Sequence, residues 1–132
     1  MAGYSSTPLV KKLGIKEGNK LMVINEPENY FELLEGIPDI EVVEKGEALD
    51  MIHFFTKDEA ELKTRLPKLK PILSKNGMLW VSWPKKASKV PTTVDEGLVR
   101  MTGLDAGLVD VKICAVDKVW SGLKFVYRVK DR

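Results

Sequence analysis

The sequence predicts a three-layer α/β fold, with a mostly parallel sheet that a C-terminal antiparallel hairpin completes. Short apolar runs alternate with amphipathic helical patterns along most of the chain, as in repeated strand–helix units. The run LDMIHFF at 49–55 is apolar on both faces, which is typical of a central parallel strand. Residues 108–117 and 122–129 alternate between apolar and polar, which predicts a hairpin whose buried face includes Val111 and Ile113.

Two short helices surround the first predicted strand, at 20–25. Thr7 is the expected N-cap and Pro8 the first residue of a helix that Gly14 ends. A second helix is predicted over 26–36. Its expected buried face consists of Tyr30, Phe31 and Leu34.

The second and third strands, at 40–45 and 49–55, are too close together for a helical crossover, because a parallel connection needs about a dozen residues or more. Two arrangements stay open. An extended link without a helix joins two parallel strands, or the two segments form a local antiparallel pair. Glu41, Glu44 and Lys45 suit an edge strand.

Capping-box patterns predict where two further helices begin. Thr56 with Glu59, and Thr93 with Glu96, can each satisfy free backbone N–H groups. The first of these helices carries a leucine stripe, and two prolines predict a kink or a restart in it. The leucines and prolines are Leu62, Leu66, Leu69, Leu73, Pro67 and Pro71. The second helix is expected to end near Gly103.

Composition limits the class of protein. The 132 residues suffice for one α/β domain, taken as 1–132, and the 44% hydrophobic content argues against disorder. A net charge of +2 gives no support for nucleic-acid or membrane binding over the whole surface. Cys114 is the only cysteine, so an internal disulfide and a multi-cysteine metal site are excluded. With neither a signal-peptide pattern nor a bilayer-length apolar segment, a cytoplasmic protein is expected.

The stretch SKNGMLWVSWPKK contains a fourth predicted strand, at 77–83, between the leucine-striped helix and the last helix. This order resembles the class I, S-adenosylmethionine-dependent methyltransferase fold, which is Rossmann-like. More closely, GYSSTPLVKKLGI, LWVSWPKKAS and GLVDVKICAVDKVWSGLKFVYR are similar to a small bacterial family of uncharacterised proteins with a trimmed form of that fold. The resemblance implies a methyltransferase-like sheet, and the family implies no established activity.

The loop after the first strand departs from the methyltransferase pattern. In that fold, glycines after this strand let the backbone approach the cofactor closely. Here the strand runs into Asn25, Glu26, Pro27 and Glu28, with no glycine and one backbone donor fewer. S-adenosylmethionine is therefore not expected as a cofactor. Glu26 and Glu28 are explained by the first turn of the following helix, where negative charge favours the dipole.

Ligands in open α/β sheets bind beyond the carboxyl ends of the strands, which makes that edge the candidate site. The WPKK loop places lysines and one tryptophan there, and the hairpin tip adds a second tryptophan for stacking. This combination suits a small anionic or nucleotide-like ligand. The candidate ligand-binding residues are Asn25, Ser82, Trp83, Lys85, Lys86, Asp117, Trp120 and Ser121. Residues 4–7 are candidates to lie over the same edge.

The remaining reactive side chains favour structural roles. His53 is the only histidine and lies in an apolar run, so a hydrogen-bonded core residue is expected rather than a base or metal ligand. Cys114 is expected to pack on the sheet. Ser82, His53 and Asp117 could be combined into a triad, but no glycine-containing nucleophile turn supports it. No metal site is expected.

These observations favour a non-catalytic small-ligand-binding or regulatory module on a degenerate methyltransferase-like fold. The alternative is a small enzyme, or an anion- or nucleotide-handling protein, that uses Lys85 or Lys86 with Asp117 or Ser121. A purely structural interpretation also stays open, in which Trp83 covers the core and the lysines only solvate the loop. No membrane or nucleic-acid partner is expected, and the oligomeric state is left open.

Overall fold

A computed structural model describes residues 8–132, which form a six-stranded sheet with helices on both faces. The strands are β1 (Lys20–Ile24), β2 (Glu41–Val42), β3 (Leu49–Phe55), β4 (Leu73–Pro84), β5 (Leu108–Ala115) and β6 (Trp120–Tyr127). The helices are α1 (Leu9–Leu13), α2 (Tyr30–Leu33), α3 (Glu59–Leu69) and α4 (Glu96–Asp105). Single turns of 3-10 helix lie at Lys70–Ile72, Lys86–Ser88 and Val129–Asp131.

The strand order is β2-β1-β3-β4-β6-β5, and the chain reverses direction only in β6. Strands β1 to β4 are parallel, whereas β6 is antiparallel to both β4 and β5. This confirms the predicted fold class, a mostly parallel α/β sheet with a C-terminal antiparallel hairpin. The apolar β3 lies inside the sheet, where helices cover both of its faces.

Strand β2 forms the edge of the sheet next to β1. It is parallel to β1, with Lys20 paired to Glu41, and no helix lies between β2 and β3. The extended link is therefore the correct alternative, and the local antiparallel pair is wrong. Only two residues pair instead of the six predicted at 40–45, and both are exposed, which fits the predicted edge position.

The helices cover the two faces of the sheet in pairs. Helices α1 and α2 pack on one face around the buried Trp80, and α3 and α4 pack on the other around Phe54 and Phe125. Gly14 ends α1 in the left-handed conformation, φ 83°, as predicted. The predicted N-cap Thr7 lies outside the described residues.

The leucine stripe of α3 faces the core as predicted, except that Leu73, although buried, belongs to β4 and not to the helix. The α-helix passes through Pro67 and ends at Leu69, and Pro71 lies in a separate 3-10 turn, which is the predicted restart. A proline is tolerated near the start of such a turn because its missing N–H has no helical partner there. The buried leucines of α3 are Leu62, Leu66 and Leu69.

Helix α2 is much shorter than the helix predicted over 26–36. Asn29 is its N-cap, and the backbone N–H of Tyr30 donates to the carbonyl of Pro27, so a turn precedes the helix. The predicted place of Glu26 and Glu28 in its first turn is therefore wrong. A helix this short buries positions one turn apart, which leaves Tyr30 and Leu34 buried but Phe31 44% exposed.

Helices α3 and α4 begin at aspartates rather than at the threonines of the predicted capping boxes. Asp58 and Asp95 are the N-caps, and their carboxylates accept backbone N–H groups of the first turns. Thr56 and Thr93 bond elsewhere. Thr93 Oγ1 accepts the backbone N–H of Glu59 at 2.8 Å and so links the loop before α4 to the start of α3.

The C-terminal hairpin has one strand more exposed than predicted. Val111 and Ile113 of β5 are 53% and 48% exposed, so their predicted burial is wrong. The pairing of β5 with β6 shifts register between Asp110 and Lys112, and β5 is the outermost strand. Alternation in the sequence does not distinguish such an edge strand from an internal one. The buried hairpin residues of β6 are Leu123, Phe125 and Tyr127, as predicted.

Candidate functional site

The WPKK loop and the hairpin tip are neighbours at the carboxyl edge of the parallel strands. Trp83 pairs with Ser121, and Pro84 pairs with Trp120. Because β6 is antiparallel to β4, its first residues lie beside the last residues of β4. The structure thus brings together two sequence segments that the predicted topology placed at one edge.

A pocket of about 590 Å³ lies at this edge, between the end of β4 and the start of α4. Its lining also includes residues 92–97, which the sequence analysis did not associate with a site. The capping pattern there marked only a helix start, and the packing of α4 beside β4 brings this segment to the pocket. The sequence-predicted residues in the lining are Trp83, Lys85, Lys86 and Ser121.

Trp83 is 5% exposed and belongs to the core under α3 and α4. Its ring therefore offers no open face for stacking. The indole N–H donates to no acceptor within residues 8–132, whereas every fully buried side-chain nitrogen and oxygen in that range has a partner. Trp83 also lines the pocket, so its indole N–H is a candidate donor to a ligand there.

Ser121 and Lys86 add two donors to the same pocket. Ser121 is half-buried and lies directly opposite Trp83 on the paired strand, so both side chains share one face of the sheet. The hydroxyl of Ser121 has no hydrogen-bond partner in the described part of the chain. Lys86 is exposed and forms no ion pair there. The residues that line the pocket therefore include three side chains with hydrogen-bond donors, those of Trp83, Lys86 and Ser121.

The carboxylates on the α4 side of the pocket are already engaged. Asp95 accepts the backbone N–H of Leu98 at 2.8 Å as the N-cap of α4. Glu96 accepts from the guanidinium of Arg100 at 2.9 Å. Their charges are thus partly compensated by α4 itself.

Lys85 and Asp117 are close together, but they hold the hairpin turn. The Lys85 ammonium donates to the backbone carbonyl of Asp117 at 2.7 Å. The Asp117 carboxylate accepts the backbone N–H groups of Val119 and Trp120, both at 2.8 Å. This arrangement fixes the backbone of the turn and is not an ion pair between the two side chains.

Trp120 lies on the opposite face of the sheet from Trp83. It packs edge-to-face on Phe55, with 5.0 Å between the ring centroids, in the cluster under α1 and α2. Successive residues of a strand point to opposite faces, so the neighbours Ser121 and Trp120 diverge. The two tryptophans therefore do not form one stacking site.

Ser82 takes part in a buried hydrogen-bonded chain rather than in the pocket. Its hydroxyl lies 2.8 Å from Nε2 of His53, and Nδ1 of His53 lies 2.9 Å from the hydroxyl of Tyr30. Burial lowers the pKa of His53 to about 3, so the ring is neutral at physiological pH. The predicted hydrogen-bonded core histidine is confirmed. Asp117 is not part of this series of hydrogen bonds, so the triad considered from the sequence does not form.

Asn25 ties three elements together where β1 ends. Its side-chain amide donates to the carbonyl of Phe55 at 3.1 Å and to the carboxylate of Glu61 at 3.0 Å. The other oxygen of Glu61 accepts from the hydroxyl of Thr56 at 2.8 Å. The backbone of Asn25 is left-handed, φ 58°, a conformation that asparagine tolerates. Asn25 does not line the pocket beside Trp83.

Cys114 packs half-buried against the cluster under α1, and burial raises the pKa of its thiol. This fits the predicted packing role. Within residues 8–132, no three His, Cys, Asp or Glu side chains are grouped closely enough to hold a metal ion. None of the helices in that range combines the length and apolar character that a bilayer crossing requires. Residues 4–7, predicted near the site, lie outside the described residues.

Several solved structures are similar to this chain over most of its length. A SAM-dependent methyltransferase from Aquifex aeolicus gives a TM-score of 0.61 at 17% identity, with 89% of this chain and 86% of that chain covered. The PH0226 protein from Pyrococcus horikoshii OT3 gives 0.63 at 11% identity, with coverages of 92% and 87%. Magnesium protoporphyrin IX methyltransferase from Synechocystis PCC 6803, with bound SAH, gives 0.58 at 11% identity, with coverages of 91% and 78%. No protein-family model and no curated protein matches the chain.

Proposed function

We propose that this chain, which has the class I methyltransferase fold, is a non-catalytic module that binds a small anionic ligand beside Trp83. The observation that carries the proposal is a nearly buried tryptophan that lines an open pocket and whose indole N–H has no acceptor within residues 8–132. A donor in such a position is expected to have a partner, which an acceptor oxygen of a ligand would supply. Ser121 and Lys86 would bind the same anionic group.

S-adenosylmethionine is not the ligand that we propose. The cofactor needs a close approach to the backbone after the first strand, which glycines permit. At that place the side chains of Asn25, Glu61 and Thr56 bond to one another and to the end of β3. Pro27 removes a further backbone donor. The residues present therefore do not fit the cofactor, and the small ligand is proposed at the pocket beside Trp83 instead.

No catalytic step is part of the proposal. Ser82 and His53 lie within hydrogen-bonding distance as a nucleophile and a base would, but both are fully buried. Lys85 and Asp117 fix the hairpin turn. The groups left for a ligand are donors, which support binding rather than acid–base chemistry.

Thermal unfolding with a panel of carboxylates, phosphates, nucleotides and S-adenosyl compounds tests this function. A ligand that binds only the folded chain stabilises it by about 2.7 kcal/mol at a concentration of one hundred times its Kd. We expect an anionic compound to stabilise the wild type, and Trp83→Phe or Ser121→Ala to reduce that effect. The phenyl ring keeps most of the apolar packing and removes the N–H.

Lys86→Gln and Lys89→Gln form a matched pair of variants that tests whether the positive charge of Lys86 contributes to ligand binding. Both lysines are exposed in the same loop, but only Lys86 lines the pocket. Lys86→Gln should weaken binding and Lys89→Gln should not. If the ligand stabilises Trp83→Phe and Ser121→Ala as much as the wild type, it binds outside the pocket beside Trp83. Tight binding of S-adenosylmethionine with methyl transfer to an acceptor would contradict the non-catalytic module itself.

A further inference from the structure

A group of lysines lies away from this pocket, where β5 and β6 meet the end of α1. Lys112 and Lys124 are directly opposite each other on the paired strands and therefore share a face of the sheet. The Lys112 ammonium donates to the backbone carbonyl of Lys12 at 3.2 Å. The Lys124 ammonium lies 3.9 Å from the position that a Cβ on Gly14 would take. The hairpin thus directs two cations toward the C-terminal end of α1.

Lys124 forms no ion pair in the described part of the chain. None of the ion pairs within residues 8–132 involves Lys124, Lys112 or Lys16. Like charges directly opposite on paired strands are destabilising. Burial, together with the neighbouring charges of Lys112 and Lys16, lowers the pKa of Lys124. The ammonium of Lys112 is bonded to a carbonyl of α1, whereas that of Lys124 has no acceptor within residues 8–132.

A cavity of about 270 Å³ adjoins these lysines at the amino ends of the parallel strands. Lys16 and Lys124 both line it, and so does the exposed side chain of Asn76. Asp50 contributes the one carboxylate of the lining, and its Oδ2 accepts the backbone N–H of Lys20 at 2.8 Å. The cavity is therefore lined by two lysines whose ammonium groups have no partner within residues 8–132, and by one carboxylate of which one oxygen already accepts a backbone N–H.

We propose that this cavity binds the phosphate group of a small phosphorylated molecule, with Lys16 and Lys124 donating to its oxygens. Bound phosphate would compensate the positive charges of Lys16 and Lys124. The site is separate from the pocket beside Trp83, which lies at the carboxyl edge of the same strands. The proposal therefore does not depend on the function proposed above.

Isothermal titration of the folded chain with inorganic phosphate and with pyrophosphate, at constant ionic strength with chloride, tests the site. Loss of a hydrogen bond to a charged group should weaken phosphate binding about tenfold or more in Lys124→Gln. The same variant should melt at a higher temperature than the wild type without phosphate, because the repulsion with Lys112 and Lys16 is removed. Lys16→Gln, at an exposed position, provides a second variant with the same expected loss of affinity.

Two controls separate this site from other sources of binding. Lys63→Gln removes a lysine of α3, and it should leave the affinity unchanged. Ser121→Ala shows in parallel whether the phosphate is bound at the pocket beside Trp83 instead. The proposal is overturned if phosphate gives no binding at about 10 mM, a concentration that would detect even weak affinity. It is equally overturned if Lys124→Gln and Lys16→Gln bind like the wild type, or if Ser121→Ala alone abolishes binding.

Discussion

Trp83 lines the pocket although it is only 5% exposed, because most of its side chain is part of the core. The residue types of the WPKK loop suggested a site of lysines and stacking rings. Sequence position correctly placed Trp83 and Ser121 at one edge of the sheet. Which atoms of these residues are free depends on packing, and that information is not contained in the spacing of the residues.

His53 makes the stability of this protein dependent on pH. Its pKa is lowered by burial to about 3 in the folded chain, against an ordinary value of 6.5 in the unfolded chain. Below pH 6.5 the unfolded chain therefore binds more protons, and the free energy of unfolding falls by up to about 1.4 kcal/mol per pH unit until pH approaches 3. Urea unfolding at pH 7, 5.5 and 4.5 measures this loss.

His53→Gln is the control for this pH dependence. The glutamine amide does not titrate, so this variant is expected to lose less stability than the wild type over the same pH interval, whatever its stability at pH 7. The contributions of all other ionisable groups are common to both proteins and cancel when their pH profiles are compared. Parallel pH profiles would show that His53 is not the group responsible.

At the scale of elements, Gly103 determines how closely α4 approaches β6. A Cβ at Gly103 would clash with the ring of the buried Phe125, so this position requires glycine for packing rather than for backbone conformation. Gly103→Ala is expected to destabilise the protein by about 1–3 kcal/mol, because overpacking outweighs the higher helix propensity of alanine. Urea unfolding at pH 7 measures the difference.

Gly97, in the first turn of the same helix, provides the matched position. The nearest atom to a Cβ there is Oδ1 of Asp95 at 3.6 Å, an ordinary contact. Gly97→Ala should therefore stabilise the protein by up to about 1 kcal/mol through helix propensity alone. Equal changes in the free energy of unfolding for the two substitutions would mean that α4 and β6 are packed less closely at Gly103 than the structure shows.

The strands were predicted more accurately than the ends of the helices. The apolar run of β3 has an unambiguous pattern because both of its faces are buried. Helices α3 and α4 begin two residues later than predicted, because Asp58 and Asp95 are their N-caps instead of the nearby threonines. Aspartate is at least as good an N-cap as threonine. The threonines then bond to residues distant in sequence, as Thr93 does to Glu59. Local sequence does not show such partners.

For the whole molecule, the sheet order predicts a gradient of local stability. Strands β3 and β4 lie inside the sheet and are covered on both faces, whereas β2 has two residues and β5 has a free outer edge. Native-state hydrogen exchange should therefore be slowest for amides of β3 and β4 and much faster for those of β2. Similar protection in β2 and β4 would contradict the edge position of β2.

The sequence by itself determined the α/β class, the positions of the central strands, and the edge of the sheet at which the WPKK loop and the hairpin tip meet. These follow from periodicity and from the direction of parallel strands, which are local or topological properties. Only the tertiary structure decided that Trp120 faces away from Trp83, that Lys85 holds the hairpin turn, and that residues 92–97 complete the pocket. These outcomes depend on which side chains find partners across elements distant in sequence, and that is a property of packing in three dimensions.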